Sequence, residues 1–182
     1  LPDKSRFIDA LNAIGRSLLE VFPYFCANKA KPRYKPALRD HERRRLRAIS
    51  DALVAESFAL DEQDYRWILA DTDLPRSLLS DSSGNLNPKG FWRIDKDKEP
   101  ELRQPVLSIV AFHDLRARGL DAFLSQNNGE GWMLPETLRL ADYGLGHDDR
   151  AKEYQPVASR LGPRFYDWQL EQDVDESWAE CR

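Results

Sequence analysis

Apolar residues in this chain recur at intervals of three and four, and no stretch alternates apolar and polar residues as a half-buried strand does. In the first such run, Phe7, Leu11 and Leu18 fall on one helical face, and Pro23 ends the pattern. The same spacing predicts a helical set over residues 5–22, 37–59, 61–74, 99–118, 120–124, 135–143 and 173–182. The chain is therefore predicted to be mostly α, a compact multi-helix domain with two lobes and at most a few short strands.

One internal segment, DSSGNLNPKG at residues 81–90, consists mainly of residues that are typical of turns. It predicts a boundary between a helical lobe over 1–85, which holds a basic loop-helix segment, and a helical, loop-rich lobe over 86–182. The chain begins at Leu1 without a Met and stops inside a helical pattern at Arg182. We therefore expect it to be a fragment of a longer chain.

The composition excludes several classes of protein. Hydrophobic residues make up 41% and charged residues 32% of the 182 residues, which is typical of a globular rather than a disordered chain. No apolar run approaches the ~20 residues that a membrane span requires, and no secretory signal pattern is present. We expect a cytoplasmic protein without a membrane partner, in which Cys26 and Cys181 stay as free thiols.

The basic charge is concentrated in one segment. The net charge is −4, yet Lys29 to Arg47 holds nine basic and two acidic residues. Such a cluster can neutralise the phosphates of double-stranded DNA. The predicted nucleic-acid-binding residues are Lys29, Lys31, Arg33, Tyr34, Lys35, Arg39, Arg43, Arg44 and Arg47. The alternative is a solvated face, or one paired with acids of the second lobe or of a missing domain.

Tests for catalytic motifs are negative. The chain lacks an Asn/Asp-Pro-Pro-aromatic motif, a glycine-rich cofactor loop after a strand, and any Asp-x-Lys or Glu-x-Lys pair of a metal-dependent nuclease. We therefore predict no catalytic residue, cofactor or metal site in this chain. A distant alternative is a helical metal-dependent phosphohydrolase, because His113-Asp114 and His147-Asp148 form two doublets and His41 is a third candidate ligand.

The segment from Trp132 to Trp168 mixes aromatics, prolines, glycines and both signs of charge. Irregular segments of this kind often carry binding surfaces. Four tryptophans are either interface anchors or core and rim packing, with packing favoured: Trp92, Trp132, Trp168 and Trp178. Arg160 and Arg164 are expected to satisfy local carbonyls rather than to grip phosphate or carboxylate.

Three stretches of the second lobe carry a family resemblance: FWRIDKDKEPELRQPVLSIVAFHDL, FLSQNNGEGWMLPETLRLADYGLGHDDRAKE and PVASRLGPRFYDWQ. Over residues 91–180 the chain resembles the far C-terminal region of very large bacterial restriction–modification proteins, of the fused restriction and adenine-methylase type. The resemblance implies a non-catalytic C-terminal module of a restriction–modification or phage-defence protein, which helps to position DNA or to recognise the target. The parent protein would be a DNA methyltransferase or restriction enzyme.

A second hypothesis is a protein-interaction module. In it, the aromatic second lobe packs on other domains of the larger parent protein, and the charge asymmetry serves docking. DNA binding predicts a continuous positive surface, whereas docking predicts an exposed apolar patch with Trp at its centre.

Overall fold

The structure is a computed structural model that describes residues 4–18, 33–69, 95, 97–146 and 148–181. It is mostly helical, as predicted. The α-helices are α1 (Lys4–Leu18), α2 (Asp40–Ser57), α3 (Glu62–Leu69), α4 (Gln104–Arg118), α5 (Leu120–Ser125), α6 (Ala158–Leu161), α7 (Asp167–Glu171) and α8 (Val174–Glu180). Short 3-10 segments lie at Pro100–Leu102, Asn127–Gly129, Leu140–Tyr143 and Asp149–Lys152.

The centre of the fold is the pair α2 and α4, which pack along each other, with α1 against α2. Every residue of α4 from Gln104 to Phe112 is buried. A helix that is enclosed on all sides has no polar face, and this explains the weak amphipathic pattern of α4. Pro105 sits in the first turn, where its missing N–H breaks no helical hydrogen bond.

The core draws on both predicted lobes. One cluster of buried apolar side chains runs from Ile14 in α1 through Leu46 and Ile49 in α2 to Leu107 and Phe112 in α4. Full burial of each such side chain contributes about 1.5–3 kcal/mol. The predicted boundary near residue 85 lies outside the described residues, but the described parts of the two lobes share this core.

The predicted helix over residues 135–143 is wrong. Thr137 and Leu138 form strand β1 (Thr137–Leu138), which pairs antiparallel with β2 (Gln155–Pro156), and only Leu140–Tyr143 turns into a 3-10 segment. Pro135 at a favoured first helical position suggested a helix. Leu138 is instead buried in the core by its pairing with a segment 17 residues further along, a contact that local periodicity does not report.

In the part of the chain that the structure describes, no helix combines the length and the apolar character that a membrane span requires.

Candidate functional site

The basic segment turns its first α2 arginines inward. The guanidinium of Arg44 donates to Asp40 at 2.8 Å, to Asp95 at 3.1 Å and to the Leu102 carbonyl at 2.9 Å. Its side chain is only 4% exposed, and Asp95 is fully buried. Asp95 also accepts the Gln104 backbone N–H at the start of α4. Arg44 therefore joins α2 to the α4 entrance instead of facing solvent.

Arg45 lies deeper still and was not among the predicted site residues. Its side chain is fully buried and meets the Glu42 carboxylate at 2.9 and 2.5 Å. It also donates to the Glu130 and Trp132 carbonyls, both at 2.8 Å. An arginine at this depth is stable only because a carboxylate and several acceptors surround it.

Glu42 is the shared acceptor of this network. Its carboxylate binds Arg45 and, at 2.8 Å, the Nε of Arg164, which in turn reaches the Glu130 carboxylate at 2.7 Å. Burial alone would raise the pKa of Glu42, but the hydrogen bonds and charges of Arg45 and Arg164 outweigh it and hold that pKa below its usual range. The ion pair between Glu42 and Arg164 connects α2 to the segment before α7.

Several other predicted residues of the basic segment are buried or bonded within the protein. Arg33 donates to the Leu124 and Gly129 carbonyls at 3.3 and 3.2 Å, and Arg43 donates to the Leu18 and Ala37 carbonyls at 3.0 and 3.2 Å. Tyr34 is buried. Arg47 is half-buried and has an interaction partner. Lys29 and Lys31 lie outside the described residues.

Lys35 and Arg39 point to the aromatic segment after Arg164. The Lys35 ammonium lies 5.8 Å from the centre of the Phe165 ring and donates to the Gln169 carbonyl. The Arg39 guanidinium lies 4.9 Å from the centre of the Tyr166 ring, and Tyr166 stacks on Trp168 at 6.5 Å. We call Lys35, Arg39, Phe165, Tyr166 and Trp168 the cation–aromatic surface. It joins the basic segment to the end of the Trp132–Trp168 segment.

A cavity of about 440 Å³ adjoins this surface through Arg164. His41, at the start of α2, lines it and is 7% exposed. The Nδ1 of His41 contacts the Gly162 carbonyl at 2.6 Å. Because a carbonyl only accepts, Nδ1 carries the hydrogen in this contact.

One wall of the cavity is a left-handed turn. Asn127 and Asn128 both adopt left-handed backbone conformations, with φ of 52° and 57°. Asparagine is, after glycine, among the residues that adopt this conformation most readily. Arg33 and Arg45 hold the turn in place through the Gly129 and Glu130 carbonyls.

In the described residues, His41, His113 and Asp114 do not converge as the alternative of a metal-dependent phosphohydrolase would require. His113 contacts the Glu62 carboxylate at 2.9 Å, whereas Asp114 accepts the indole N–H of Trp132 and His41 bonds to Gly162. Within ranges 4–18, 33–69, 95, 97–146 and 148–181, no group of three His, Cys, Asp or Glu side chains is arranged to hold a metal ion. His147 lies outside those ranges.

Two of the predicted tryptophans pack within the protein. Trp132 is buried, and the Trp178 indole donates to the Tyr34 carbonyl at 3.0 Å, so both serve packing. Trp92 lies outside the described residues.

The expectation that Arg160 and Arg164 serve local carbonyls is wrong, because both bind carboxylates: Arg160 reaches Glu99 at 3.0 Å, and Arg164 reaches Glu42 and Glu130.

The protein is expected to lose stability in acid because of two buried carboxylates, Glu42 and Glu101. The pKa of Glu101 is lowered like that of Glu42, since its burial is outweighed by hydrogen bonds from Arg150 at 2.9 and 2.5 Å. Both carboxylates stay charged in the folded state at pH values where the unfolded chain takes up protons. Their stabilisation is complete above the ordinary value of 4.5 and is lost as pH falls through the lowered pKa.

We expect the urea midpoint to fall as pH drops from about 6 to about 3, and to fall less in Glu101→Gln. This variant is already less stable at neutral pH, because the uncharged amide replaces the buried carboxylate that binds Arg150. A midpoint that is flat over this range would contradict the lowered pKa of both groups.

No family model, curated protein or solved structure matches this chain.

Proposed function

We propose that this chain is a non-catalytic module of a larger bacterial restriction–modification protein, and that it contacts DNA through the cation–aromatic surface. The observation that carries the proposal is the position of Lys35 and Arg39 over the rings of Phe165 and Tyr166. Cations and aromatic faces beside one another match the two chemical parts of a nucleotide, its phosphate and its base.

The proposal places the contact on a smaller surface than the whole basic segment. Arg44 and Arg45 are buried with carboxylates, so they are not available to phosphates. Few phosphate contacts give a modest salt dependence, since each one contributes a slope of about −0.7 for a single strand. Ring stacking contributes about 1–3 kcal/mol per base and needs an unpaired base. Single-stranded DNA should therefore bind more tightly than duplex DNA.

The double variant Arg39→Gln/Tyr166→Ala should weaken binding of a short single-stranded oligonucleotide by about tenfold or more, as the loss of one stacked base implies. Fluorescence anisotropy at low salt measures it. The matched control is Arg139→Gln/Tyr154→Ala, because Arg139 lies 5.1 Å from the centre of the exposed Tyr154 ring and neither residue belongs to the proposed surface. Equal losses in both variants would contradict the proposal.

Arg44 is unsuitable for such a test. Its replacement removes the bond to buried Asp95 and is expected to destabilise the fold, so a loss of DNA binding would have two explanations. Arg39 makes its described contact with an exposed ring, and Tyr166 is 44% exposed. Thermal unfolding of both double variants confirms that binding, not folding, is compared.

A docking module is the second candidate function. The α7 residue Leu170 is 63% exposed and Tyr166 is 44% exposed, and Trp168 stacks on Tyr166, which fits an exposed apolar patch that includes a Trp. The partner would be another domain of the same parent protein. Absence of binding to either form of DNA at low salt, with the fold intact, would leave docking as the better proposal.

A further inference from the structure

The cavity beside the cation–aromatic surface has a size that suits one small ligand or one inserted side chain, at about 440 Å³. Its walls come from elements far apart in the sequence: the start of α2, the Asn127–Gly129 turn, the extended Met133–Glu136 segment and the stretch from α6 to Arg164.

The turn is the most constrained wall. Arg33 and Arg45 bind the Gly129 and Glu130 carbonyls, and Arg164 binds the Glu130 carboxylate at 2.7 Å. The Asn127 amide donates to the Gly131 carbonyl at 2.9 Å. A left-handed turn that three arginines hold in place is a preorganised surface, and preorganisation lowers the entropy that a ligand must overcome on binding.

Several of the hydrogen-bond donors that line the cavity are already bonded to the protein. His41 donates from Nδ1 to Gly162, Asn127 donates from its amide, and Arg164 donates to the Glu42 and Glu130 carboxylates. The acceptors among the lining residues are the Glu136 carboxylate and the side-chain oxygens of Asn127 and Asn128.

The charge of the lining is also negative. Arg164 and Glu130 neutralise each other, whereas among the described residues no cation pairs with the carboxylate of Glu136, which also lines the cavity. Met133 adds a thioether and Leu134 an apolar face to the same wall. The unpaired carboxylate, the acceptor oxygens and the apolar wall favour a cationic ligand with several N–H donors and a flat, weakly hydrated surface.

We infer that the cavity receives a guanidinium group, as carried by an arginine side chain. Guanidinium has five N–H donors in one plane and is more weakly hydrated than an ammonium, so it suits an acceptor-rich site with an apolar wall. The site is separate from the proposed DNA contact, which uses cations of the protein itself.

An NMR titration of the isotope-labelled chain tests the inference with the peptide acetyl-Gly-Arg-Gly-amide and its citrulline counterpart, which keeps the shape and removes the charge. The arginine peptide should give saturable shifts centred on the Asn127–Gly129 turn and Met133. The citrulline peptide should bind about tenfold or more weakly, because it leaves the carboxylate without a cation. Equal binding of both peptides, or no saturable shift with either, would overturn the inference.

Glu136→Gln provides the second arm and should weaken the arginine peptide by about five- to tenfold. Glu153→Gln is its control, since Glu153 is an exposed carboxylate that does not line the cavity. An unchanged affinity in Glu136→Gln would count against a guanidinium site. Free L-arginine distinguishes the source: affinity equal to that of the peptide indicates a small-molecule ligand, and weaker binding indicates an arginine presented by a protein.

Discussion

Glu42→Gln is expected to lower the free energy of unfolding by about 3–5 kcal/mol, a large part of the 5–15 kcal/mol of a typical domain. The substitution keeps the shape of the side chain but removes the only carboxylate bonded to the fully buried Arg45 among the described residues. One arm of the new amide is a donor and would face the N–H groups of Arg45 or Arg164. Urea unfolding followed by circular dichroism measures the loss.

Glu153→Gln serves as the control, because the same chemical change at an exposed position should stay within about 0.5 kcal/mol. The double variant Glu42→Leu/Arg45→Met refines the test. Replacing both members of a buried ion pair by apolar groups is often less costly than removing one member. A loss below about 1 kcal/mol in Glu42→Gln would show that the network is not a major stabilising element.

The helical part of the fold is largely readable from local sequence. The predicted helix over 37–59 is observed at Asp40–Ser57, and the predicted start at Asp173 is the N-cap of Val174–Glu180, where the Asp173 carboxylate accepts the Glu176 N–H at 2.8 Å. Periodicity and capping residues act within one or two turns, so a single sequence reports them. Strand β1 escapes this reasoning because its partner is distant in the chain.

The direction of the arginines could not be read in the same way. A basic run on a helix looks alike whether it faces solvent or the core, since the deciding groups are far away in sequence: Asp95 for Arg44, and the Glu130 and Trp132 carbonyls for Arg45. One local signal was present. Glu42 and Arg45 are three residues apart, a spacing that places them on one helical face.

The candidate site was predictable in parts but not as a whole. The basic segment and the Trp132–Trp168 segment each stand out in the sequence, yet their meeting at Arg39 and Tyr166 depends on tertiary packing. The cavity was not predicted. The asparagine-glycine run at Asn127–Gly129 was its only local signal, because asparagine and glycine tolerate the left-handed backbone that the turn adopts.

Phe112→Ala is expected to destabilise the protein by about 3–5 kcal/mol, the usual loss for a large aromatic side chain removed from a core. Phe112 is 1% exposed in α4, and its ring packs edge to face on Tyr65 of α3 at 4.9 Å. A fall of roughly 10 °C in the melting temperature would correspond to this loss. Phe58→Ala is the matched control, because Phe58 is 74% exposed and the identical substitution should cost about 0.5 kcal/mol or less. Because α4 is enclosed by α2, α3 and α5, equal losses at both positions would contradict its placement at the centre of the fold.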